Sequence, residues 1–541
     1  MEFLSTLIIA VLITSLTIPL LQRLALRYSL VDIPNERKVH SKPIARVGGV
    51  AMALGAFVPL IYWQRGDRFL QAYLLSALVL VAFGLADDLL DISPAWKFLG
   101  QSAAAAIIIG LGGVQVLTLG SLLPEGIALP PWGLIVLTLV AIVGVTNAIN
   151  LSDGLDGLAG GISLLGIAFI GFLAWQEGDL IIGLIAVALC GAIFGFLRYN
   201  TFPASIFMGD TGSQLLGFSA IALALSLTQG NTPLSPAVPL LILGFPVLDT
   251  LSVMTGRIIR GRSPFSADKS HFHHSLLALG LHQTESVLVI YVIQVTLIVA
   301  AYLLRFYSDW LLLGGYLFFS ATVLTIFAVT RRCEWEPKRT RPVWKWKLYL
   351  RFVRDRTSTI KYLYRGLYLL YPAMLVAIFA ISGPASGAVA LSAVGAVVLM
   401  ALVHHFLPER FKSLLHGIVY LMVPYGVYLS ERWIAGQPPV VATGYNLLFG
   451  LLALLNILVS KLTRRKEGFK STPLDFLIFF LAVAPLLPVA SAPDLWLGLV
   501  AAKVIILYYS WEVLMAEMRG AYTQVVCGIV TSMAALVLWW L

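Results

Sequence analysis

Long hydrophobic stretches without charged residues recur along the chain, and they predict membrane-spanning helices. A helix needs about 20 apolar residues to cross a bilayer. Eleven such stretches come first, near 3–22, 47–64, 69–86, 98–123, 131–150, 158–176, 180–197, 212–229, 235–255, 286–304 and 310–330. Seven more follow, near 366–383, 386–406, 413–430, 436–460, 476–493, 495–516 and 521–541. The pattern predicts an all-α, polytopic integral membrane protein with about 18 transmembrane helices.

The polar loops between these stretches differ in their content of basic residues. The loops at 27–46, 256–270 and 331–365 are rich in Lys and Arg, and the last one carries twelve. Basic residues collect in cytoplasmic loops, and alternating the helices from an outside N-terminus places all three loops on that side. The sequence therefore predicts an orientation as well as a number of spans.

The basic segment 331–365 also separates two hydrophobic blocks, so it is the expected domain boundary. We predict a domain at 1–330, a basic cytoplasmic linker at 331–365, and a C-terminal transmembrane extension at 366–541. The mixture of basic and aromatic residues in the linker favours a helix that lies on anionic headgroups. The extension carries no recognisable motif, and its function stays open.

Composition agrees with a membrane protein and excludes a soluble or disordered chain. Of the 541 residues 59% are hydrophobic and 12% are charged, against roughly 25% charged in soluble domains. The net charge is +10, from 37 basic and 27 acidic residues. Because basic loops at a membrane surface account for this excess, we expect the lipid bilayer as a partner and no nucleic acid.

Acidic residues cluster at the predicted cytoplasmic ends of three helices. Asp87, Asp88 and Asp91 end the third stretch in FGLADDLLD, and Asp210 precedes the eighth in IFMGDTGS. After the fifth stretch, TNAINLSDGLDGLAGG spaces four polar residues by three: Asn147, Asn150, Asp153 and Asp156. In a continuing helix these four, like the i, i+4 pair Asp87 and Asp91, would share one face. Such oxygen ligands suit Mg²⁺, with Mn²⁺ as the alternative.

A histidine cluster lies in the basic loop after the ninth stretch. The segment SPFSADKSHFHHSLL contains His271, His273 and His274. Alone it would fit a metal site, a pH sensor or a solvated loop. Since the carboxylates are expected on the same side, a phosphate-binding role explains more. The residues therefore predict a metal-dependent phosphoryl-transfer enzyme that acts on a lipid at the cytoplasmic surface.

One further acid, Asp249, lies inside the ninth stretch, where an ionisable residue is by default a functional candidate. Pro246 precedes it and is expected to bend the helix. Two interpretations stay open: a groove for a lipid tail beside the bent helix, and a capped structural role.

Five motifs in order resemble the polyprenyl-phosphate N-acetylhexosamine-1-phosphate transferase superfamily, glycosyltransferase family 4. They are DIPNERKVHSKPIARVGG, GLADDLLDISPAWKFLGQ, NAINLSDGLDGLAGG, FMGDTGS and PFSADKSHFHH, and the resemblance covers residues 1–330. The histidine motif is more similar to the hexosamine-phosphate branch than to the peptidoglycan branch, which favours a compact HHH.

The resemblance implies transfer of GlcNAc-1-phosphate from a UDP-N-acetylhexosamine to undecaprenyl phosphate, with release of UMP and Mg²⁺ as cofactor. This reaction would start a cell-envelope glycan such as the O-antigen of lipopolysaccharide. The expected location is the bacterial inner (plasma) membrane with the active site facing the cytoplasm, and a homodimer stays open. The alternatives are a modified UDP-hexosamine, UDP-MurNAc-pentapeptide and, remotely, a secondary transporter with a midplane site and internal symmetry.

The resemblance also implies roles for individual residues. Those carried over as catalytic are Asp87, Asp88, Asp153 and Asp156, and the implied metal ligand is Asp210. Those carried over as substrate-binding are Lys97, Asn147, Asn150, His271, His273 and His274, with Lys38 and Arg46 as looser matches in the first cytoplasmic loop.

Overall fold

The computed structural model separates the chain into two compact units, Met1–Lys338 and Arg339–Leu541. It describes residues 2–28, 31–32, 43–63, 66–124, 127, 129–230, 232–264, 271–333, 357–382, 387–406, 408–462, 495–517 and 523–540. The predicted substrate residue Lys38 lies outside these described residues.

Helices and one short strand pair make up the first unit. The helices are α1 (Glu2–Arg27), α2 (Gly48–Trp63), α3 (Arg68–Leu90), α4 (Pro94–Gly110), α5 (Pro131–Leu151), α6 (Leu158–Gln176), α7 (Leu180–Asn200), α8 (Gly209–Thr228), α9 (Val238–Ile242), α10 (Gly244–Ile259), α11 (Phe272–Ala278), α12 (Gln283–Leu304) and α13 (Asp309–Arg332). A 3-10 turn spans Gly120–Leu122. The strands β1 (Val31–Asp32) and β2 (Ile44–Ala45) pair antiparallel, with Val31 opposite Ala45.

The described part of the second unit is also helical. Its helices are α14 (Thr357–Ala380), α15 (Gly387–Phe406), α16 (Pro408–Ile434), α17 (Pro439–Leu462), α18 (Leu495–Glu517) and α19 (Thr523–Trp540). Large side chains such as Tyr371 and Trp511 are buried in its core. Lys503 forms a buried ion pair with Glu431 of α16.

Eleven of the described helices are long and apolar enough to cross a membrane, eight in the first unit and three in the second. These helices confirm the predicted all-α, multi-pass membrane protein. The predicted total of about 18 spans stays a prediction.

Three local expectations were wrong. The stretch 98–123 is helical only to Gly110, because the following backbone turns at Gly113 in a left-handed conformation (φ 73°). Helix α3 ends at Leu90, so Asp91 does not share its face with Asp87 and instead caps the helix. The ninth stretch is not bent at Pro246 but interrupted three residues earlier, at Leu243 between α9 and α10.

The interruption of the ninth stretch is stabilised by a side chain from α12. Gln294 donates a hydrogen bond from Nε2 to the carbonyl of Ile242 (2.5 Å) and accepts one from the amide of Phe245 (3.3 Å). A break in a buried helix leaves backbone N–H and C=O groups without partners. A glutamine side chain can satisfy one group of each kind, because it both donates and accepts.

Helix α8 is buried along nearly its whole length, and glycines let its neighbours approach it closely. A Cβ atom on Gly84 of α3 would lie 2.6 Å from Cα of Thr211, and one on Gly49 of α2 would lie 2.7 Å from Cα of Gly212. Because these contacts hold α3 against the first turn of α8, they bring the acidic end of α3 to Asp210.

Candidate active site

Three elements meet at a pair of carboxylates joined by an ammonium group. Nζ of Lys97, on α4, lies 2.6 Å from Oδ2 of Asp87 on α3 and 2.8 Å from Oδ2 of Asp210 on α8. Asn150, in the last turn of α5, also hydrogen-bonds to Asp210. Residues that are far apart in sequence thus form one cluster, and four of the predicted site residues belong to it.

The neighbouring Asp88 caps the N-terminus of α8. Its carboxylate accepts hydrogen bonds from the amides of Asp210 (2.9 Å) and Thr211 (3.0 Å) and from the Thr211 hydroxyl (2.7 Å). A carboxylate at this end of a helix is favoured by the orphan N–H groups and by the helix dipole. Gly209 is the residue that fits there, since it has φ 67° and a Cβ atom would lie 2.5 Å from Oδ1 of Asp88. Asp88 therefore holds Asp210 in place, and its predicted catalytic role stays a prediction.

Asp153 and Asp156 lie in a turn, not on a helical face. Helix α5 ends at Leu151 and α6 begins at Leu158, so the helix does not continue and the four polar residues do not share one face. Asp156 accepts a hydrogen bond from the amide of Ala204 (2.9 Å). These contacts fix the turn, which we call the aspartate turn (residues 152–157).

The backbone of Gly157 ties the aspartate turn to two other helices. Its amide donates to Oδ1 of Asn200 at the end of α7 (3.0 Å), and its carbonyl accepts from the hydroxyl of Tyr291 on α12 (2.7 Å). Neither partner was predicted from the sequence, because an isolated Asn or Tyr at a helix position carries no motif of its own.

The electrostatics of the turn reflect a surplus of negative charge. Burial, together with the charges of Asp210, Asp88 and Asp156, raises the pKa of Asp153 to about 7, against the opposing charge of Arg46. Arg46 follows directly after β2, where Ala45 accepts a hydrogen bond from the amide of Phe207 (2.9 Å). The strand contact thus brings a cation of the first loop towards the carboxylates.

Asn147 has different partners from those expected of a substrate-binding residue. Its amide nitrogen donates to Oε1 of Gln101 (2.6 Å) and to the carbonyl of Val143 (2.9 Å), and Gln101 in turn donates to Gln214 (3.3 Å). Its predicted substrate contact stays a prediction. Gln101 and Gln214 each lie four residues after a site residue, Lys97 and Asp210, and this helical spacing is the signal that could have found them.

The three histidines lie in a segment that we call the histidine loop (residues 271–274), and Asp249 holds its first residue, His271. Nδ1 of His271 lies 2.9 Å from Oδ2 of Asp249, and the amide of Phe272 donates to Oδ1 (2.8 Å). Asp249 is only 2% exposed. The sequence left two interpretations of Asp249 open. These contacts favour the capped structural role over a groove for a lipid tail.

The second histidine reaches the aspartate turn. The ring of His273 lies against Gly154, so that a Cβ atom there would be 2.5 Å from Cε1. It also stacks on His271 and contacts His274, with ring centroids 5.9 and 4.2 Å apart. Burial, together with the charge that His274 would carry, lowers the pKa of His273 to about 4. The ring is therefore neutral at physiological pH.

The carboxylate pair fits a divalent cation that substrate phosphates would complete. Within the described residues, no group of three His, Cys, Asp or Glu side chains is arranged as a full metal site. Mg²⁺, however, usually takes one or two carboxylates and fills its shell with water and substrate phosphates. Oδ1 of Asp87 is buried and has no hydrogen-bond partner in the described structure, which leaves an oxygen for such an ion.

Comparison with known proteins finds the same kind of enzyme in several bacteria. A family model described as "Glycosyl transferase family 4" matches residues 70–228. The chain is 38% identical over 314 residues to a "Probable undecaprenyl-phosphate N-acetylglucosaminyl 1-phosphate transferase" of Bacillus subtilis, covering 56% of this chain and 86% of that protein. It is 33% identical over 320 residues to an "Undecaprenyl-phosphate alpha-N-acetylglucosaminyl 1-phosphate transferase" of Yersinia pestis, covering 57% and 87%. A protein of that name from Escherichia coli K12 is 34% identical over 285 residues, covering 52% and 77%.

Proposed function

The chain belongs to glycosyl transferase family 4 and is a membrane-bound transferase; we propose that it transfers N-acetylglucosamine 1-phosphate from its UDP-linked form to undecaprenyl phosphate. The observation that carries the proposal is the cluster in which Lys97 joins Asp87 and Asp210, because this arrangement suits phosphate groups and a divalent cation. The names of the relatives supply the sugar and the lipid.

In this reaction an oxygen of the lipid phosphate attacks the sugar-bearing phosphorus of the donor. The bond between that phosphorus and the oxygen of the uridine-bearing phosphate breaks, and UMP leaves. The product is a lipid diphosphate sugar. The lipid phosphate needs little help from a base, because a phosphate monoester with a second pKa near 6 is already largely dianionic at neutral pH.

The protein's main contribution is therefore to position the phosphates and to offset their charge. Lys97 carries the cation closest to the carboxylate pair, and Arg46 and the histidine loop add donors around the aspartate turn. Asp87 and Asp210 would hold Mg²⁺, or Mn²⁺ in its place, and the bound ion would neutralise charge on the transferred phosphoryl group. Asp88 positions Asp210 through the first turn of α8.

We place the transferase in the predicted domain 1–330, since every residue of the cluster lies there. The basic loops favour a location in the bacterial inner membrane with the site at the cytoplasmic face. The product would start a cell-envelope glycan. The linker 331–365 and the extension 366–541 enter the proposal only as further parts of the chain.

The test is UMP release by the purified full chain with undecaprenyl phosphate, Mg²⁺ and a panel of UDP-N-acetyl sugars. We expect release that needs the lipid and the metal and that is greatest with UDP-GlcNAc. Asp210→Asn should abolish it. A modified UDP-hexosamine or UDP-MurNAc-pentapeptide as the best donor would replace the proposed substrate, and silence across the panel from folded protein would refute the proposal.

A further inference from the structure

Both carboxylate oxygens of Asp249 form hydrogen bonds with the first two residues of the histidine loop. One oxygen contacts the ring of His271 and the other accepts the amide of Phe272, the first residue of α11. Asp249 and His271 are 2% and 6% exposed. A buried carboxylate is costly unless such contacts satisfy it, so this pair is a specific arrangement and not a chance approach.

An aromatic contact one helical turn before Asp249 also holds Phe272 in place. Phe245 lies four residues before Asp249 on α10, so the two share a face. Its ring meets the ring of Phe272 edge to face at 5.7 Å, and Phe327 of α13 contacts that ring at 4.0 Å. Helix α10 thus presents one apolar and one charged group to two consecutive residues of the loop.

The hydrogen bond also determines which ring nitrogen is available. A carboxylate can only accept, so Nδ1 of His271 carries the proton that lies between them. Nε2 is then the nitrogen left for a ligand, and in the doubly protonated imidazolium it is a donor. A ring fixed in this way can donate a charge-assisted hydrogen bond to a phosphate oxygen.

We infer that Asp249 is a positioning residue for nucleotide-sugar binding: it holds His271 with Nε2 directed to the donor's diphosphate and sets the start of α11, from which His273 reaches the aspartate turn. This inference rests on the proposed function, since it assumes a UDP-sugar as the ligand. It assigns a role to the buried acid of the ninth stretch without placing that acid in contact with substrate.

The test is a double-mutant cycle on the affinity for UDP-GlcNAc, measured by calorimetry on the full chain with Mg²⁺ and no lipid. Asp249→Asn keeps the size of the side chain and removes its charge. We expect this variant and His271→Gln each to weaken binding by roughly ten- to a hundredfold, the range for a lost hydrogen bond to a charged group. If Asp249 acts through His271, the double variant should be no weaker than His271→Gln alone.

A matched control is Asp309→Asn, because Asp309 is equally a buried carboxylate (5% exposed) that accepts from loop amides, those of Ser121 and Ala237. It should leave the affinity for UDP-GlcNAc unchanged. In turnover assays Asp249→Asn should raise the KM for UDP-GlcNAc and leave that for undecaprenyl phosphate unchanged. A purely structural role would lower the yield of folded protein and affect both substrates.

The outcomes separate the inference from the function on which it rests. Wild-type protein that binds and turns over UDP-GlcNAc, with additive losses in the cycle or no loss from Asp249→Asn, overturns the inference alone. Wild-type protein that neither binds nor uses a UDP-sugar overturns both. If Asp249→Asn does not fold, Asp249→Glu replaces it in the cycle: a loss that is not additive with that of His271→Gln supports the inference, and additive losses contradict it.

Discussion

Replacing Gly154 by alanine tests whether the histidine loop must contact the aspartate turn. The new methyl group would meet Nε2 of the His273 ring most closely, and it would lie 2.5 Å from Cε1 and 2.9 Å from Cδ2. The backbone itself should accept the change, because Gly154 is not among the residues with positive φ. The ring of His273, which is 3% exposed, is therefore the group that has to move.

The size of that movement follows from the contact distance. Nonbonded heavy atoms are best separated by about 3.5 Å, so the ring must shift by roughly 1 Å. A displacement of this size in a catalytic site can cost about a hundredfold in rate. We therefore expect kcat/KM for the UDP-sugar to fall about a hundredfold, which is a loss of about 2.7 kcal/mol in transition-state stabilisation.

The assay is UMP release under steady-state conditions, with Gly144→Ala as the matched control. Gly144 lies on α5, ten residues before Gly154, and a Cβ atom there meets nothing within 4 Å. The Gly144→Ala variant should have wild-type kinetics and equal or slightly greater stability, since alanine has a higher helix propensity than glycine. Wild-type kinetics in Gly154→Ala would refute the contact between loop and turn, and an equal loss in Gly144→Ala would show that the effect is not local.

Further predictions concern the carboxylates and His273. Asp88→Ala should destabilise the protein by about 1–2 kcal/mol by removing the cap of α8, and Asp88→Asn, which still accepts hydrogen bonds, by less; equal melting temperatures would contradict the capping role. Asp210→Asn and Asp87→Asn should both weaken Mg²⁺ binding, because both carboxylates are placed on the ion, and unchanged Mg²⁺ affinity in either variant would contradict that placement. Because the pKa of His273 is about 4 in the folded protein and about 6.5 in the unfolded chain, only the unfolded chain gains this proton as pH falls from about 6.5, so stability is lost. His273→Gln should reduce the loss of melting temperature between pH 7.5 and 5.0, and an unchanged pH dependence would refute the burial of a neutral ring.

The sequence predicted the helical membrane protein well because long apolar stretches leave the backbone few alternatives. It failed where a helix ends for local reasons. The stretch at 98–123 looks uniformly apolar, yet the left-handed Gly113 follows the last turn of α4. The same failure affected the motif with Asp153 and Asp156, since spacing by three predicts a shared face only if the helix continues.

The candidate residues were found by motif, but their partners depend on packing that no local pattern encodes. Lys97 contacts carboxylates on two helices, and its position in the sequence gives no sign that it lies between Asp87 and Asp210. Asp88 is adjacent to Asp87 in the chain, yet the two carboxylates have different partners. Asp88 accepts hydrogen bonds from the amides of α8, whereas Asp87 contacts Lys97. The close approach of α3 to α8 at Gly84 brings both carboxylates to the first turn of α8.

The charges of the site also explain why a cation belongs to its chemistry. Among the described residues, the carboxylates of the cluster and the turn are Asp87, Asp88, Asp153, Asp156 and Asp210, and the cations that act on them are Lys97 and Arg46. This surplus of negative charge contributes to the raised pKa of Asp153. The same field opposes the approach of a diphosphate, and opposition of this kind is relieved by a divalent ion held between carboxylates and phosphates. An ion that enters with the donor would relieve this opposition, and we propose Asp87 as one of its ligands, because its Oδ1 is buried without a hydrogen-bond partner among the described residues.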